Sequence, residues 1–319
     1  MSSGRSPWWA GLILVPSLLI GWVWVDANLW ERQTISVGRL DSAIARGLDR
    51  LDASDRYRRR IGSHGVFPVE LWMTRRLLAL APHEGLAADV EHGRQSLLES
   101  PLRFLARLPG EPWPTPSDDE IAAVAAFVER DYIGQSTVDG PAWSRWFLYS
   151  AYPEVRYLIP GDFLGMLSEE WGVSYGFQLS HRIYAYRLFR QMNPALAAKY
   201  EIPALEARAM SVMKREMVID PRLYDLYYER LAFALEYGAV SPFLGRWIER
   251  VLDAQNPDGS WHRTPRLGCD FANAFGIECR RGAGNYHPTF LATYALAQYR
   301  VLLDARAPAA PSSNGGGGG

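Results

Sequence analysis

Residues 251–262 read V-L-D-A-Q-N-P-D-G-S-W-H, and residues 285–303 read N-Y-H-P-T-F-L-A-T-Y-A-L-A-Q-Y-R-V-L-L. The first stretch is the end of a helix, broken by Pro257 and Gly259 in a turn that drives Trp261 inward. The second opens a new helix with His287 at its mouth and Pro288 in its first turn. Between them lies a loop containing Gly and Arg, bracketed by Cys269 and Cys279. Helix, turn with an inward Trp, loop and helix make a hairpin that cannot bury its apolar face alone. The rest of the chain is read as helices that complete the same shell.

Working outward, apolar residues recur at helical spacing. Val37, Leu40, Ile44, Leu48 and Leu51 predict a helix over 36–51. Further helices are expected over 66–80, over 86–108 with a break at Pro101, and over 117–132. The last of these starts on Ser117 with Glu120 at capping-box distance. Shorter or less regular helical segments are expected at 143–157 and 162–170, and regular ones at 175–192, 203–217, 221–237, 243–255 and 288–303. Asp220 followed by Pro221 reads as an N-cap and first helical position, and Gly238 as the stop. No sustained alternating pattern calls for a sheet, and no short period suggests a regular solenoid. The fold class is all-α, and an α/α barrel or toroid of helical hairpins over 36–304 is the architecture that suits this length.

Residues 8–25, W-W-A-G-L-I-L-V-P-S-L-L-I-G-W-V-W-V, are uncharged and mostly apolar. Eighteen helical residues span about 27 Å, enough for a bilayer core. Trp residues sit at both ends, as in interfacial belts. The expectation is a single-pass signal anchor, with 1–7 cytoplasmic, 26–35 a linker and the body extracytoplasmic, periplasmic or extracellular. The alternative is a cleaved signal peptide, with Val25-Asp26-Ala27 as the cleavage site and a secreted body. Residues 305–319 are a flexible tail.

The chain has 34 basic and 35 acidic residues and a net charge of -1. Without a charge run or basic stripe, a nucleic-acid groove is excluded as an expectation. The 12 Trp and 16 Tyr fit either a thick helical core or a ligand-lined cavity. Cys269 and Cys279 are the only cysteines: free thiols in a reducing compartment, a local disulfide in an exported chain.

Four residues have the chemistry of a site. On a helix, Phe177, His181, Tyr184 and Leu188 share one apolar face, so His181 points inward while Arg182, Arg187 and Arg190 project elsewhere. Asp225 and Glu229 are four apart, so both carboxylates leave one helix face, with Tyr228 beside them. With His181 and His287 they make an acid–base set or, through the two histidines, the start of a divalent-metal site. The plainer readings are core or capping histidines, and carboxylates solvated or paired with Arg230. Tyr228, Trp261 and Tyr286 are the candidate substrate-binding side chains. His64, His83, His92 and His262 fall in polar loops or at helix ends and receive no role.

Three resemblances follow from these residues. Gln255, Gly259 and Trp261 form Q-x-x-x-G-x-W, which resembles the repeat of terpene cyclases and their α/α-toroid relatives. There the Gln caps a helix, the Gly turns and the Trp stacks beneath. No Asp-rich cyclase acid motif accompanies it. Tyr286-His287-Pro288-Thr289 with Leu291-Ala292-Thr293-Tyr294 resembles the Tyr-His-Thr helix of protein prenyltransferase β subunits, where the matching His binds zinc with an Asp and a Cys two residues apart. Here Cys269 and Asp270 are adjacent and reversed, a departure from that ligand set. Finally, L-S-H-R at 179–182, D-L-Y-Y-E at 225–229, R-W-I-E-R-V-L-D-A-Q at 246–255 and C-x-x-G-A-G-N-Y-H-P-T at 279–289 occur in an order similar to that of a secreted animal family of unknown function known from thyroid (domain of unknown function 4735). That likeness spans about 36–303. It implies an exported, disulfide-containing helical domain, and it carries no activity with it.

The functional expectations are therefore three. One is a membrane-anchored enzyme of hydrolase or lyase type acting on a glycan, lipid or peptide. A second is a non-catalytic binding or assembly subunit with a membrane-protein partner. The third is a metal-binding protein.

Overall fold

The computed structural model describes residues 21–22, 24–25, 35–55, 57, 68–106, 116–127, 176–220, 223, 225–238, 241–262 and 286–306. Within these there are ten α-helices and no strand. They are α1 (Val37–Asp52), α2 (Pro68–Leu80), α3 (Glu84–Leu98), α4 (Asp118–Phe127), α5 (Phe177–Met192), α6 (Pro194–Lys199), α7 (Ile202–Ile219), α8 (Asp225–Glu236), α9 (Leu244–Asp253) and α10 (Tyr286–Arg306). The expected helices at 143–157 and 162–170, Cys269 and Cys279, and the tail beyond Arg306 lie outside the described residues; Ala305 and Arg306, expected in the tail, are the last residues of α10. So does the apolar run 8–25, apart from Gly21, Trp22, Trp24 and Val25. Among the described residues no helix is long and apolar enough to cross a membrane.

Local chemistry explains three of the helix starts. Ser36 accepts the Arg39 amide and opens α1. His83, given no role from sequence, caps α3 by accepting from Leu86 N at 3.3 Å. Ser117 and Glu120 form the capping box of α4, with Ser117 N donating to Glu120 at 2.9 Å and Glu120 N to Ser117 Oγ at 3.3 Å.

Several boundaries differ from expectation. The third helix ends at Leu98, and a 3₁₀ turn covers Arg103–Ala106. The segment before the expected 203–217 helix already forms α6, started by Pro194 at its first turn. The helix expected from Pro221 begins only at Asp225. Asp220 is instead the C-cap of α7, and its carboxylate lies 3.4 Å from Arg230. A long-range ion pair has taken the side chain that local pattern assigned to a cap.

α8 and α10 form the centre. Residues 225–234 of α8 and 288–297 of α10 are buried on every side, as expected for helices enclosed by other helices rather than facing water on one stripe. Aromatic rings fill the space around them. Tyr184 of α5 stacks on Phe233 of α8 at 5.1 Å and meets Trp72 of α2 at 5.4 Å.

α1 runs antiparallel to α10. Gly47 faces Thr293, where a Cβ would come within 2.2 Å of Oγ1, and Asp41 pairs with Arg300 at 2.8 Å. α5 runs antiparallel to α7, with Gly176 beside Glu216 and Arg190 beside Glu206. α5 and α8 run side by side in the same direction, His181 level with Glu229 and Tyr184 with Phe233.

The turn that opened the sequence reading clamps α1. Gln255 donates to Ala43 O at 2.9 Å and Gly259 O at 3.2 Å. Gly259 adopts φ +81°, and a Cβ there would lie 2.2 Å from Arg46 O, so both conformation and space demand glycine. Trp261 is fully buried, and its indole N–H donates to Val251 O at 2.8 Å. Its backbone N–H donates to Thr289 Oγ1 at 3.1 Å, which ties the turn to the start of α10.

Candidate functional site

The site is built where three helices begin. His181 is the fifth residue of α5, Asp225 and Glu229 are the first and fifth of α8, and His287 is the second of α10. Their four side chains, singled out from sequence, come together as two histidine–carboxylate pairs. His181 Nδ1 lies 3.0 Å from Glu229 Oε1, and His287 Nε2 lies 3.7 Å from Asp225 Oδ1. The i, i+4 spacing of the carboxylates presents both on one face of α8, one to each neighbouring helix.

The two pairs differ in exposure. The His181 and Glu229 side chains are 10% and 3% exposed, whereas that of His287 is 39% exposed over a buried Asp225. His287 is thus the solvent-facing member and His181 the enclosed one. The reading of Asp225 and Glu229 as solvated carboxylates beside Arg230 is corrected: both are buried, and Arg230 turns away to Glu216 and Asp220. Arg182, expected on a different face from His181, is also buried, as is His262.

The tautomer of His181 follows from its neighbours. Nδ1 stands 2.6 Å from the Phe177 carbonyl and 3.0 Å from Glu229. Both are acceptors, so Nδ1 carries the hydrogen. The Phe177 carbonyl has the hydrogen-bond geometry, and Glu229 supplies the charge. Nε2 is then the nitrogen that takes up or gives a proton.

Burial acts to raise the Glu229 carboxyl. Against it stand the charge and hydrogen of His181, the charge of His287 and the Ser180 hydroxyl, and the carboxyl is held below its ordinary value. Both histidines therefore act on one carboxylate. Ser180, fully buried one position before His181, is a member of the site that sequence reasoning passed over. Its adjacency to His181 was the available signal.

The candidate substrate-binding residues divide. Tyr286 is half-buried at the rim, its ring 6.3 Å from that of His287 and 5.8 Å from that of Tyr57. Tyr228 is fully buried next to Glu229. Trp261 is enclosed beneath its own turn and serves the α1–α10 junction rather than an open surface. Among the described residues, no group of three or more His, Cys, Asp or Glu is arranged to hold a metal ion. Cys269 and Asp270, the residues compared with prenyltransferase zinc ligands, lie outside the described residues.

About two turns further along α8 lies a second buried polar cluster of opposite character. Glu236 receives Arg76 Nη1 at 2.6 Å and the Tyr294 hydroxyl at 3.2 Å, and Glu206 pairs with Arg190 at 3.3 Å. Here burial outweighs the arginines, and both carboxyls are pushed above their ordinary value. The sequence offered no sign of this cluster.

Comparison with family models, with curated proteins and with solved structures found no match to this chain.

Proposed function

We propose that the chain is an enzyme using acid–base chemistry of hydrolase or lyase type on a glycan, lipid or peptide. The single observation that carries this reading is the meeting of His181, Glu229, Asp225 and His287 at the starts of α5, α8 and α10. His287, exposed and beside the Asp225 carboxylate, is the group that exchanges a proton with substrate. His181, oriented by Phe177 and Glu229, is the enclosed partner with Nε2 as its working nitrogen. The closed α/α toroid is part of the same proposal, supported by helices α5 and α8 running together with the site at their starts. An N-terminal anchor with an extracytoplasmic body completes it.

The test is a screen of the full-length protein against glycans, lipid esters and peptides, run beside His287→Gln and His181→Gln. Turnover that falls in both variants supports the reading. Turnover unaffected in both removes it.

A second reading, a non-catalytic assembly subunit at a membrane, is favoured by one observation. The Trp24 indole donates to Val218 O at 2.7 Å, and Trp22, Val25 and Ile219 around that bond are exposed apolar residues. The metal-binding reading has no donor set among the described residues to support it.

A further inference from the structure

We infer that Glu216 and Arg230 are positioning residues for the His181–Glu229 pair, acting as a brace between the helices that carry it. Successive residues on a helix point about 100° apart. α8 therefore directs Glu229 toward α5 and Arg230 toward α7. Arg230, 3% exposed at its side chain, places Nη2 2.5 Å from Glu216 Oε2. The same Glu216 carboxylate accepts the Gly176 backbone N–H, at 3.1 Å to one oxygen and 3.3 Å to the other. Gly176 is the N-cap of α5, and it supplies no side-chain cap of its own.

The contacts close a ring. Glu229 meets His181. Five residues before His181, about one and a half helical turns, the chain passes through Gly176. Glu216 holds Gly176, Arg230 holds Glu216, and Arg230 is the next residue after Glu229. Every link is buried or half-buried, and Gly176 takes φ +68°, where an added Cβ would meet Leu226 of α8 at 3.5 Å. A carboxylate bound to the first amides of a helix is favoured by the helix dipole as well as by the hydrogen bonds. Glu216 thus does for α5 what a capping side chain would do, from a neighbouring helix. It fixes where α5 starts relative to α8, and so how far His181 stands from Glu229.

The inference deepens the acid–base reading and rests on it for its functional meaning. Its test reads the histidine itself and so stands apart from activity. The full-length chain, 15N-labelled at histidine, is compared with Glu216→Gln, and His181→Gln identifies the His181 signals. Glu249→Gln is the control, because it breaks another buried ion pair, Arg246–Glu249 at 2.6 Å, outside the ring. The Phe177 carbonyl, on the same helix as His181, keeps the hydrogen on Nδ1 in every glutamate variant, so the readout is the 15N shifts that depend on the distance to Glu229. The expected result is native His181 shifts in Glu249→Gln and displaced His181 shifts in Glu216→Gln. Unchanged His181 shifts in folded Glu216→Gln overturn the inference. Should that variant not fold, Glu216→Asp, which keeps the charge but withdraws it by one methylene, is read in the same way. An inactive protein with an intact native tautomer and a responsive Glu216 variant would discard the enzyme reading and leave the brace standing.

Discussion

His181 Nδ1 stands 3.0 Å from Glu229 Oε1, with both side chains enclosed, while 3.7 Å separates the more exposed His287 from Asp225 on the same face of α8. One helix thus holds two carboxylates for two histidines from different helices. Burying a carboxylate beside an imidazole is costly unless the pair is charged or hydrogen-bonded. Two histidines and two carboxylates meeting where three helices begin are therefore a candidate for chemistry rather than for packing.

Replacing His287 by Gln removes the exposed member of the site. Turnover of a substrate identified by screening should fall roughly a hundred- to ten-thousand-fold, the range for a lost general acid or base. The fold should survive, because the side chain is 39% exposed. Rate assays beside thermal melts check both parts.

Glu229 and Glu236 should respond oppositely to neutralisation. Glu229 is held below its ordinary value in the fold. Its charge therefore contributes stability above the ordinary carboxylate range, and that contribution is lost as pH falls through the folded value. Glu229→Gln should thus destabilise near neutral pH, with the deficit closing in acid. Glu236 is raised by burial, so its contribution is present below the ordinary value and is lost as pH rises through the folded one. Glu236→Gln should be neutral or stabilising at neutral pH. Urea midpoints across pH measure the contrast.

Gly259→Ala should destabilise the protein by about 1–3 kcal/mol or more, since it adds a left-handed backbone cost to a clash. The clash is with Arg46 O, 2.2 Å from the added Cβ. Gly38→Ala, on α1 with open space around its Cβ, should instead stabilise by about 0.5–1 kcal/mol. Denaturant midpoints of the two variants decide it.

Trp261→Ala should cost about 3–5 kcal/mol, as expected for a large side chain removed from a core. The ring is fully buried and its N–H is bonded to Val251 O. If Trp261 were a ligand surface instead, the stability loss would be small, and calorimetry distinguishes the two.

The all-helical fold could be read from sequence because 3.6-residue periodicity is carried by each helix alone. Ser117 announced its helix through a local cap, whereas the first helix was read from apolar spacing alone and its Ser36 cap emerged with the structure. The same local logic misplaced the start of α8, because Asp220 is engaged by Arg230, ten residues away, instead of capping. The site residues were legible one helix at a time: an inward His, a carboxylate pair four apart, a His at a helix mouth. Their pairing across helices was not, since no period in the chain encodes which faces meet. Glu216 had still less signal, lying in M-K-R-E-M among other charged residues, and only its partners Gly176 and Arg230 reveal it.

The central claim, that the paired histidines and carboxylates perform acid–base catalysis, is tested most directly by turnover. Full-length wild-type protein, His181→Gln and His287→Gln would be assayed side by side on a panel of glycans, lipid esters and peptides. The account predicts that wild type turns over at least one class, and that both variants lose that activity while remaining folded. Equal turnover in all three proteins, or no turnover of any member by folded wild type, would contradict it.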